Sequence, residues 1–209
     1  MKIVLFELEG CIFDIDDFWM EMHKIYGTMR EGKILTQRYQ KTNNARLVDL
    51  VINGLWKKKN AMYLYHLIEG INYVEAVKEN FSKIKEAGFK TAIITDAPSE
   101  LASKAKKALE IDFMINNVIG IENQRLSGEY IWTVSPDNKL EHLGEICSQE
   151  GINLSDVIFV GRKNSDIKLA NSTGFSIAFR CLDEEMKNSC SKVIESNFLD
   201  VIEEIKKHP

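Results

Sequence analysis

The hydrophobic positions of the chain follow two patterns, short unbroken runs and longer stripes at helical spacing. The run Ile3–Phe6 is apolar throughout and rich in branched side chains, which is typical of a strand buried on both faces of a parallel sheet. Four further runs have the same character: residues 89–95, 113–115, 157–160 and 175–179. The pattern therefore predicts five buried strands.

Helical stripes separate most of these strands. Val77, Phe81, Ile84 and Ala87 recur at helical spacing and stop at Gly88, a residue type that commonly ends helices. Further helices are predicted to open at residues 96–99, over residues 138–149, from residue 165 onward and over residues 198–206. Strands that alternate with helices predict an α/β fold with a doubly wound parallel sheet.

Two local signals add detail to this prediction. Residues 126–130, Leu-Ser-Gly-Glu-Tyr, resemble a turn, and their flanks predict a hairpin over residues 123–132. Asn138 and Glu141 have the spacing of a capping box, so we expect a helix to begin there.

Residues 14–72 show no convincing strand pattern. Asp16 and Asp17 are placed to cap a first helix, and a third helix is predicted over residues 62–68. The second helix is predicted from Asn44, with Leu47, Leu50, Val51 and Leu55 on one face. We therefore predict a core of residues 1–13 and 73–209. Residues 14–72 would form an all-helical cap, inserted over the carboxyl edge of the sheet as a lid.

Composition narrows the functional class. The chain has 209 residues, 44% of them hydrophobic, and a formal net charge of −4, so it can bury a core and gives no sign of a nucleic-acid partner. No apolar run has the length of a membrane span. The four cysteines, Cys11, Cys147, Cys181 and Cys190, contain no C-x-x-C pair, which argues against a zinc site or a disulfide framework and favours the cytoplasm.

Two acids follow the first strand. Glu7 and Glu9 come where the run Ile3–Phe6 ends, and Gly10 then permits a sharp turn. In open α/β sheets ligands bind beyond the carboxyl ends of the strands. The two acids are therefore candidate catalytic residues, and the alternative is that they are simply exposed at a strand end.

The segment Glu7-Leu8-Glu9-Gly10-Cys11 resembles the opening Asp-x-Asp-Gly-Thr motif of the haloacid dehalogenase (HAD) superfamily, and especially its phosphoserine-phosphatase-like members. Three later segments resemble the other motifs of that family in order. They are Thr95 at a strand end, Lys139 in a first helical turn ahead of Gly151-Ile152-Asn153, and the run Gly161-Arg162-Lys163-Asn164-Ser165-Asp166, where the family has Gly-Asp-x-x-Asn-Asp. The resemblance implies a Rossmann-like HAD core with a helical cap.

The resemblance also implies roles for these residues. Glu7 would stand for the nucleophile and Glu9 for the general acid and base, while Thr95 and Lys139 would bind phosphate. Mg²⁺ would be held by Glu7, by Glu9 through its backbone carbonyl, and by Asp166. In the cap, Asp16 lies near the position of an acid for the substrate amine. Arg46 is a candidate for a substrate carboxylate, and the alternatives are a helix cap for Asp16 and a surface position for Arg46.

Several substitutions depart from the family pattern. A Glu carboxylate lies one methylene further out than that of Asp, and an error of about 1 Å can cost roughly 10²-fold in rate. Arg162 replaces a metal-binding Asp, and a guanidinium about 5 Å from Mg²⁺ would repel it by roughly 7 kcal/mol at an effective dielectric of about 20. Asp96 is expected to cap a helix where a phosphate would otherwise bind. Asp166 is then the only acid left in the run from Gly161 to Asp166 that resembles the family's last motif.

Three arrangements of this pocket are open. Salt bridges from Arg162 and Lys139 to Glu7, Glu9 and Asp166 would stabilise it without a metal. Alternatively, Arg162 and Lys163 point to solvent in a decayed site, or a Mg²⁺ site is retained.

Two functions are therefore open. The first is a weak or inactive phosphatase that acts as a binding or regulatory module. The second is an active phosphomonoester hydrolase of small metabolites with Glu7 as nucleophile. The expected partner is a small phosphorylated metabolite or another ligand, with no nucleic acid or membrane, and the protein is expected to be a monomer or homodimer.

Overall fold

The computed structural model of the chain describes residues 2–40 and 42–208, so residues 1, 41 and 209 of the predicted ranges lie outside it. Its centre is a sheet of seven strands: β1 Ile3–Phe6, β2 Lys90–Pro98, β3 Phe113–Glu122, β4 Arg125–Ile131, β5 Val157–Gly161, β6 Phe175–Phe179 and β7 Lys192–Ile194. The strand order is β4-β3-β2-β1-β5-β6-β7. Every pairing is parallel except that of β3 with β4. The predicted doubly wound α/β fold is confirmed.

Strand β1 lies at the centre because all four of its side chains are apolar and buried. Val4 and Phe6 pack into a cluster on one face of the sheet, and Ile3 and Leu5 pack into a second cluster on the other face. This alternation follows from the two-residue period of a strand. The two clusters fix β1 between β2 and β5, so the residue that follows it, Glu7, emerges at the middle of the carboxyl edge.

Two short 3₁₀ helices, Leu154–Asp156 and Asn164–Asp166, and eleven α-helices are present in residues 2–40 and 42–208: α1 Phe18–Ile25, α2 Met29–Tyr39, α3 Asn44–Asp49, α4 Met62–Gly70, α5 Val77–Asn80, α6 Ser82–Glu86, α7 Ser99–Leu109, α8 Lys139–Glu150, α9 Ile167–Ser172, α10 Glu184–Ser189 and α11 Phe198–Lys206. A π-helical turn, Leu50–Trp56, extends α3. Helices α1–α4 and the π-helical turn lie between β1 and the core helices, and we call this segment the cap. No helix in the described part of the chain is long and apolar enough to cross a bilayer.

The hydrophobic pattern of the sequence did not predict some of these elements. Helix α2 buries only Gly32, so it carries no apolar stripe to reveal it. Strand β7 has three residues, two of them exposed, and α10 has six. Short, half-exposed elements bury too few apolar groups to produce a periodic signal.

The predicted hairpin exists, but its turn was placed wrongly. The turn lies at Asn123 and Gln124, which have φ angles of 48° and 60°, whereas residues 126–130 lie inside β4. Asn adopts the left-handed conformation readily, but the sequence offers no Gly at the turn itself. Gly128 misled the prediction, because it lies within the strand with a φ of 88°.

One predicted helix start and one predicted capping box were also wrong. Strand β2 continues to Pro98, and α7 begins only at Ser99. The side chain of Asn117 donates to the Asp96 carbonyl oxygen at 2.9 Å and so fastens this extended segment. The predicted capping box at Asn138 does not form, because its Oδ1 instead accepts from the backbone N–H of Ser135 at 2.8 Å.

Candidate functional site

Three buried charged side chains meet at the carboxyl edge of the sheet. Lys139, the first residue of α8, places its Nζ 2.9 Å from Glu7 Oε2 and 2.8 Å from Asp166 Oδ1. Glu7 directly follows β1, where its backbone N–H donates to the Val160 carbonyl oxygen at 2.9 Å. All three side chains are at most 5% exposed. The fold therefore brings together residues that are 132 and 27 positions apart in the sequence.

The protonation states of this triad follow from burial and charge. Burial alone would raise the pKa of Glu7, but Lys139 and Lys163 lower it to about 2. Burial raises the pKa of Asp166 to about 7, and the neighbouring Glu7 adds to this. The pKa of Lys139 is raised well above its ordinary value because the two acids outweigh its burial. Glu7 is therefore ionised at neutral pH, Lys139 is charged, and Asp166 titrates near neutrality.

Glu9 joins the core to the cap. Its Oε1 accepts from the backbone N–H of Phe18 at 3.0 Å, at the start of α1. Its Oε2 is bonded to the Nζ of Lys163, which follows β5. The same Nζ lies 4.0 Å from Glu7 Oε1. The carboxylate of Glu9 is thus shared between a helix start and a lysine, and both of its oxygens have partners.

Arg162 turns away from the triad. Its Nη1 lies 3.1 Å from Asp16 Oδ1, in the segment that leads into the cap, and its side chain packs against Gly10. The predicted salt bridge from Arg162 to the pocket acids is therefore wrong, and Lys163 is the second cation instead. Arg162 is 15% exposed, so it does not point freely to solvent either.

Of the remaining predicted site residues, some lie at the site and others lie away from it. Thr95 is fully buried in β2, and its Oγ1 accepts from the backbone N–H of Ala97 at 3.2 Å. Asp96 lines the cavity described below, and burial raises the pKa of its carboxyl. It caps no helix. Arg46 is exposed on α3, and neither Arg46 nor Asp16 lines that cavity.

A cavity of about 220 Å³ separates the cap from the core. Its core wall includes Asp96, Trp132, Lys139 and Lys163, and Glu9 lies at its base. The cap wall comes from α1, α2, α3 and the π-helical turn, with these residues: Asp17, Trp19, Met20, His23, Thr36, Gln40, Asn44, Leu47, Val48, Val51, Ile52 and Trp56. Sequence reasoning missed the tryptophans, His23 and the pairing of Lys163, because no local motif marks them.

The acids at the sheet edge fit a Mg²⁺ ion poorly in the arrangement that the structure shows. Mg²⁺ requires near-octahedral oxygen ligands, but the part of the chain that the structure describes contains no group of three or more acidic, His or Cys side chains able to hold a metal. Glu7 Oε1 and Asp166 Oδ2 are the fully buried carboxylate oxygens without a hydrogen-bond partner among these residues. The ammonium groups of Lys139 and Lys163 lie beside them. Two oxygens flanked by two cations are a poor donor set for a divalent cation.

Comparison with known proteins places this site in context. The family model described as haloacid dehalogenase-like hydrolase matches residues 4–179. A phosphoserine phosphatase of Methanocaldococcus jannaschii is 26% identical over 98% of both chains. A phosphoserine phosphatase of Lactococcus lactis is 33% identical over 57% of this chain and 56% of its own length.

Solved structures give the same fold. A structure titled as a phospho-aspartyl intermediate analogue of phosphoserine phosphatase superposes with a TM-score of 0.83 and 23% identity, covering 97% of this chain and 98% of the other. A phosphoserine phosphatase from T. onnurineus has a TM-score of 0.74 and 18% identity, covering 100% and 96%. The helical segment and the sheet are therefore arranged as in that fold.

Proposed function

The chain belongs to the haloacid dehalogenase-like hydrolase family, and from this membership we propose that it is a phosphoserine-phosphatase-like protein with little or no Mg²⁺-dependent phosphatase activity. On this proposal it acts as a binding module, and its ligand is a small molecule held between cap and core. The sequence similarity to phosphoserine phosphatases supports the scaffold. The proposed lack of phosphatase activity rests on the contacts of this chain's own site residues.

The observation that carries the proposal is the pairing of acids with lysines. Lys139 bonds Glu7 and Asp166, and Lys163 bonds Glu9. The family resemblance implies Mg²⁺, which when bound would neutralise the transferring phosphoryl group. Here the two ammonium groups neutralise the acids themselves. Glu9 holds no free oxygen to exchange a proton with a leaving group, since the Phe18 N–H and Lys163 occupy both.

One observation favours a second function, an active phosphomonoester hydrolase of small metabolites with Glu7 as nucleophile. The pKa of Glu7 is lowered to about 2 because Lys139 and Lys163 oppose the effect of burial, so its carboxylate is ionised as attack requires. Its Oε1 has no hydrogen-bond partner among the described residues. We rank this function second because the longer Glu side chain displaces the attacking oxygen.

The test is turnover of phosphoserine and p-nitrophenyl phosphate, with and without Mg²⁺. We expect the unmodified protein to show no Mg²⁺-dependent turnover. The quadruple variant Glu7→Asp, Glu9→Asp, Arg162→Asp, Lys163→Ala, which also removes the second ammonium group, should gain activity, and the single variant Arg162→Asp should not. Turnover of the unmodified protein at about 1 s⁻¹ or more, lost in Glu7→Gln, would establish the second function instead.

We further propose that the protein works in the cytoplasm as a monomer or homodimer. Its four cysteines are free, and three of them are buried, which supports a reducing compartment. Size-exclusion chromatography with light scattering would determine the oligomeric state.

A further inference from the structure

All three tryptophans of the chain line the cavity between cap and core. Trp19 stacks on Trp56 with ring centroids 5.9 Å apart and lies 5.4 Å from Trp132. Trp56 comes from the π-helical turn of the cap and Trp132 from the core, so the cluster spans the two sides. Tryptophan has the strongest attraction of any side chain for a cation above its ring face.

The charges around the cavity favour a cation as well. Lys139 and Lys163 contribute to its walls, but each is already paired with acids. Asp17 and Asp96 also line it, and neither forms a salt bridge within residues 2–40 and 42–208. Asp17 only caps α1, accepting from the backbone N–H of Met20 at 3.0 Å. Asp96 shares Lys139 with Glu7 and Asp166, and Asp17 has no lysine or arginine partner among the described residues, so the acids around this cavity outnumber its two lysines.

Apart from Glu9, which is paired with Lys163, the rest of the lining carries no charge at neutral pH. Thr36, Gln40 and Asn44 are neutral and polar, while Leu47, Val48, Val51 and Ile52 are apolar. A phosphate here would meet Asp96 and Asp17 without a free cation to bind it, because both lysines are engaged. The cavity is also smaller than the roughly 300–1,000 Å³ typical of pockets for drug-sized ligands. A compact ligand with an apolar body and a positive charge fits this lining.

We propose that the cavity binds a small organic cation of the alkylammonium class, such as a trimethylammonium compound, with the charged group against the tryptophans and beside Asp96. This inference deepens the proposed binding function and rests on it. Alkylated ammonium groups suit the site because they spread their charge over apolar methyl groups, which lose little hydration when buried against aromatic rings. The tryptophans supply the attraction and Asp96 supplies the counter-charge.

Intrinsic tryptophan fluorescence tests the proposal directly, since every tryptophan lines the cavity. The unmodified full chain is titrated with choline and with its uncharged isostere 3,3-dimethyl-1-butanol, at constant ionic strength set with NaCl. Inorganic phosphate and phosphoserine form the anionic arm. We expect a saturable change with choline and at least about tenfold weaker binding of the isostere, which corresponds to about 1.4 kcal/mol. Calorimetry repeats the comparison without an optical signal.

A substitution of Asp96 tests whether its carboxylate contributes to choline binding, apart from any effect on folding. Asp96→Asn should weaken choline binding by about tenfold while leaving the weak binding of the isostere unchanged. The matched control is Asp200→Asn, at an exposed position of α11, which should bind choline as the unmodified chain does. If Asp96→Asn fails to fold, the choline and isostere comparison on the unmodified chain still decides the question.

Equal binding of choline and its isostere, or binding of phosphate and phosphoserine in preference to choline, would overturn the inference. So would the absence of any choline response in both fluorescence and calorimetry. A different result, rapid turnover of phosphoserine, would contradict the proposed binding function itself. Absent turnover without a preference for choline would therefore refute the cationic ligand alone.

Discussion

Arg162 Nη1 lies 3.1 Å from Asp16 Oδ1, so the loop after β5 is joined to the segment that enters the cap. A second ion pair supports the same segment, with Arg180 Nη2 2.8 Å from Asp14 Oδ1. At the position where the family pattern has a metal-binding acid, this chain has a residue that holds the cap entrance. The substitution therefore changes the role of the position as well as its charge.

A double-mutant cycle on Arg162→Ala and Asp16→Ala measures this link. Because Asp16 is 87% exposed, we expect a coupling of only about 0.5 kcal/mol in the free energy of unfolding. Amide hydrogen exchange should show faster local opening of residues 14–20 in both single variants. The pair Arg180→Ala and Asp14→Ala serves as a comparison. Unchanged exchange in this segment would contradict the proposed link.

Gly10 and Gly27 provide a matched pair of alanine substitutions. Their φ angles are 73° and 67°, so each substitution by Ala adds a similar backbone strain of about 1–2 kcal/mol. A Cβ at Gly27 meets nothing within 4 Å, whereas one at Gly10 clashes with the side chain of Arg162. Urea unfolding should therefore show a larger loss for Gly10→Ala than for Gly27→Ala. Equal losses would mean that Arg162 moves aside freely.

Removing the central lysine should destabilise the fold strongly. Lys139→Met leaves Glu7 and Asp166 buried without their shared cation, and breaking a buried ion pair from one side costs about 3–5 kcal/mol. Chemical denaturation checks this against Lys168→Met, at an exposed position of α9. The control should lie within about 0.5 kcal/mol of the unmodified chain. A Lys139→Met protein as stable as its control would show that the triad is not an important source of stability.

The pattern of apolar runs correctly predicted the parallel core, because a strand buried on both faces leaves a continuous signal in the sequence. The end of the first strand pointed to Glu7, whereas Lys139 and Asp166 were singled out by the resemblance to the family motifs. Their contacts, at 2.8–2.9 Å, depend on which strand ends lie side by side, and motif order supplied that information.

The pairing of Arg162 and Lys163 was not predictable in the same way. Adjacent residues in a loop differ in direction, and only the backbone conformation after β5 decides which one reaches Glu9 and which reaches Asp16. Asp96 was misjudged for a related reason. The side chain of Asn117, 21 residues away, extends β2 beyond the point where local signals ended it.

His23 should make stability depend on pH. It is 2% exposed, its Nδ1 lies 2.8 Å from Thr28 Oγ1, and burial lowers its pKa to about 4. Between pH 6.5 and 4 the unfolded chain therefore takes up a proton that the folded chain does not, and stability falls as the pH falls. The loss from this residue should be on the order of 3 kcal/mol.

Urea unfolding at several pH values tests this expectation. His23→Gln should flatten the slope of stability against pH in this window, whereas His66→Gln, at an exposed position of α4, should leave it as it is. An identical slope in His23→Gln and the unmodified chain would show that other groups cause the pH dependence.

The central claim is that the ammonium groups of Lys139 and Lys163 take the place of a divalent cation at the sheet edge. A titration with Mn²⁺, followed by the electron paramagnetic resonance signal of the free ion, tests it without relying on catalysis. We predict that the unmodified chain leaves the free Mn²⁺ signal at the level of buffer alone. The double variant Arg162→Asp, Lys163→Ala, which removes two cations and adds an acid, should reduce it. Stoichiometric uptake of Mn²⁺ by the unmodified chain, displaced by Mg²⁺ and lost in Asp166→Asn, would contradict the account.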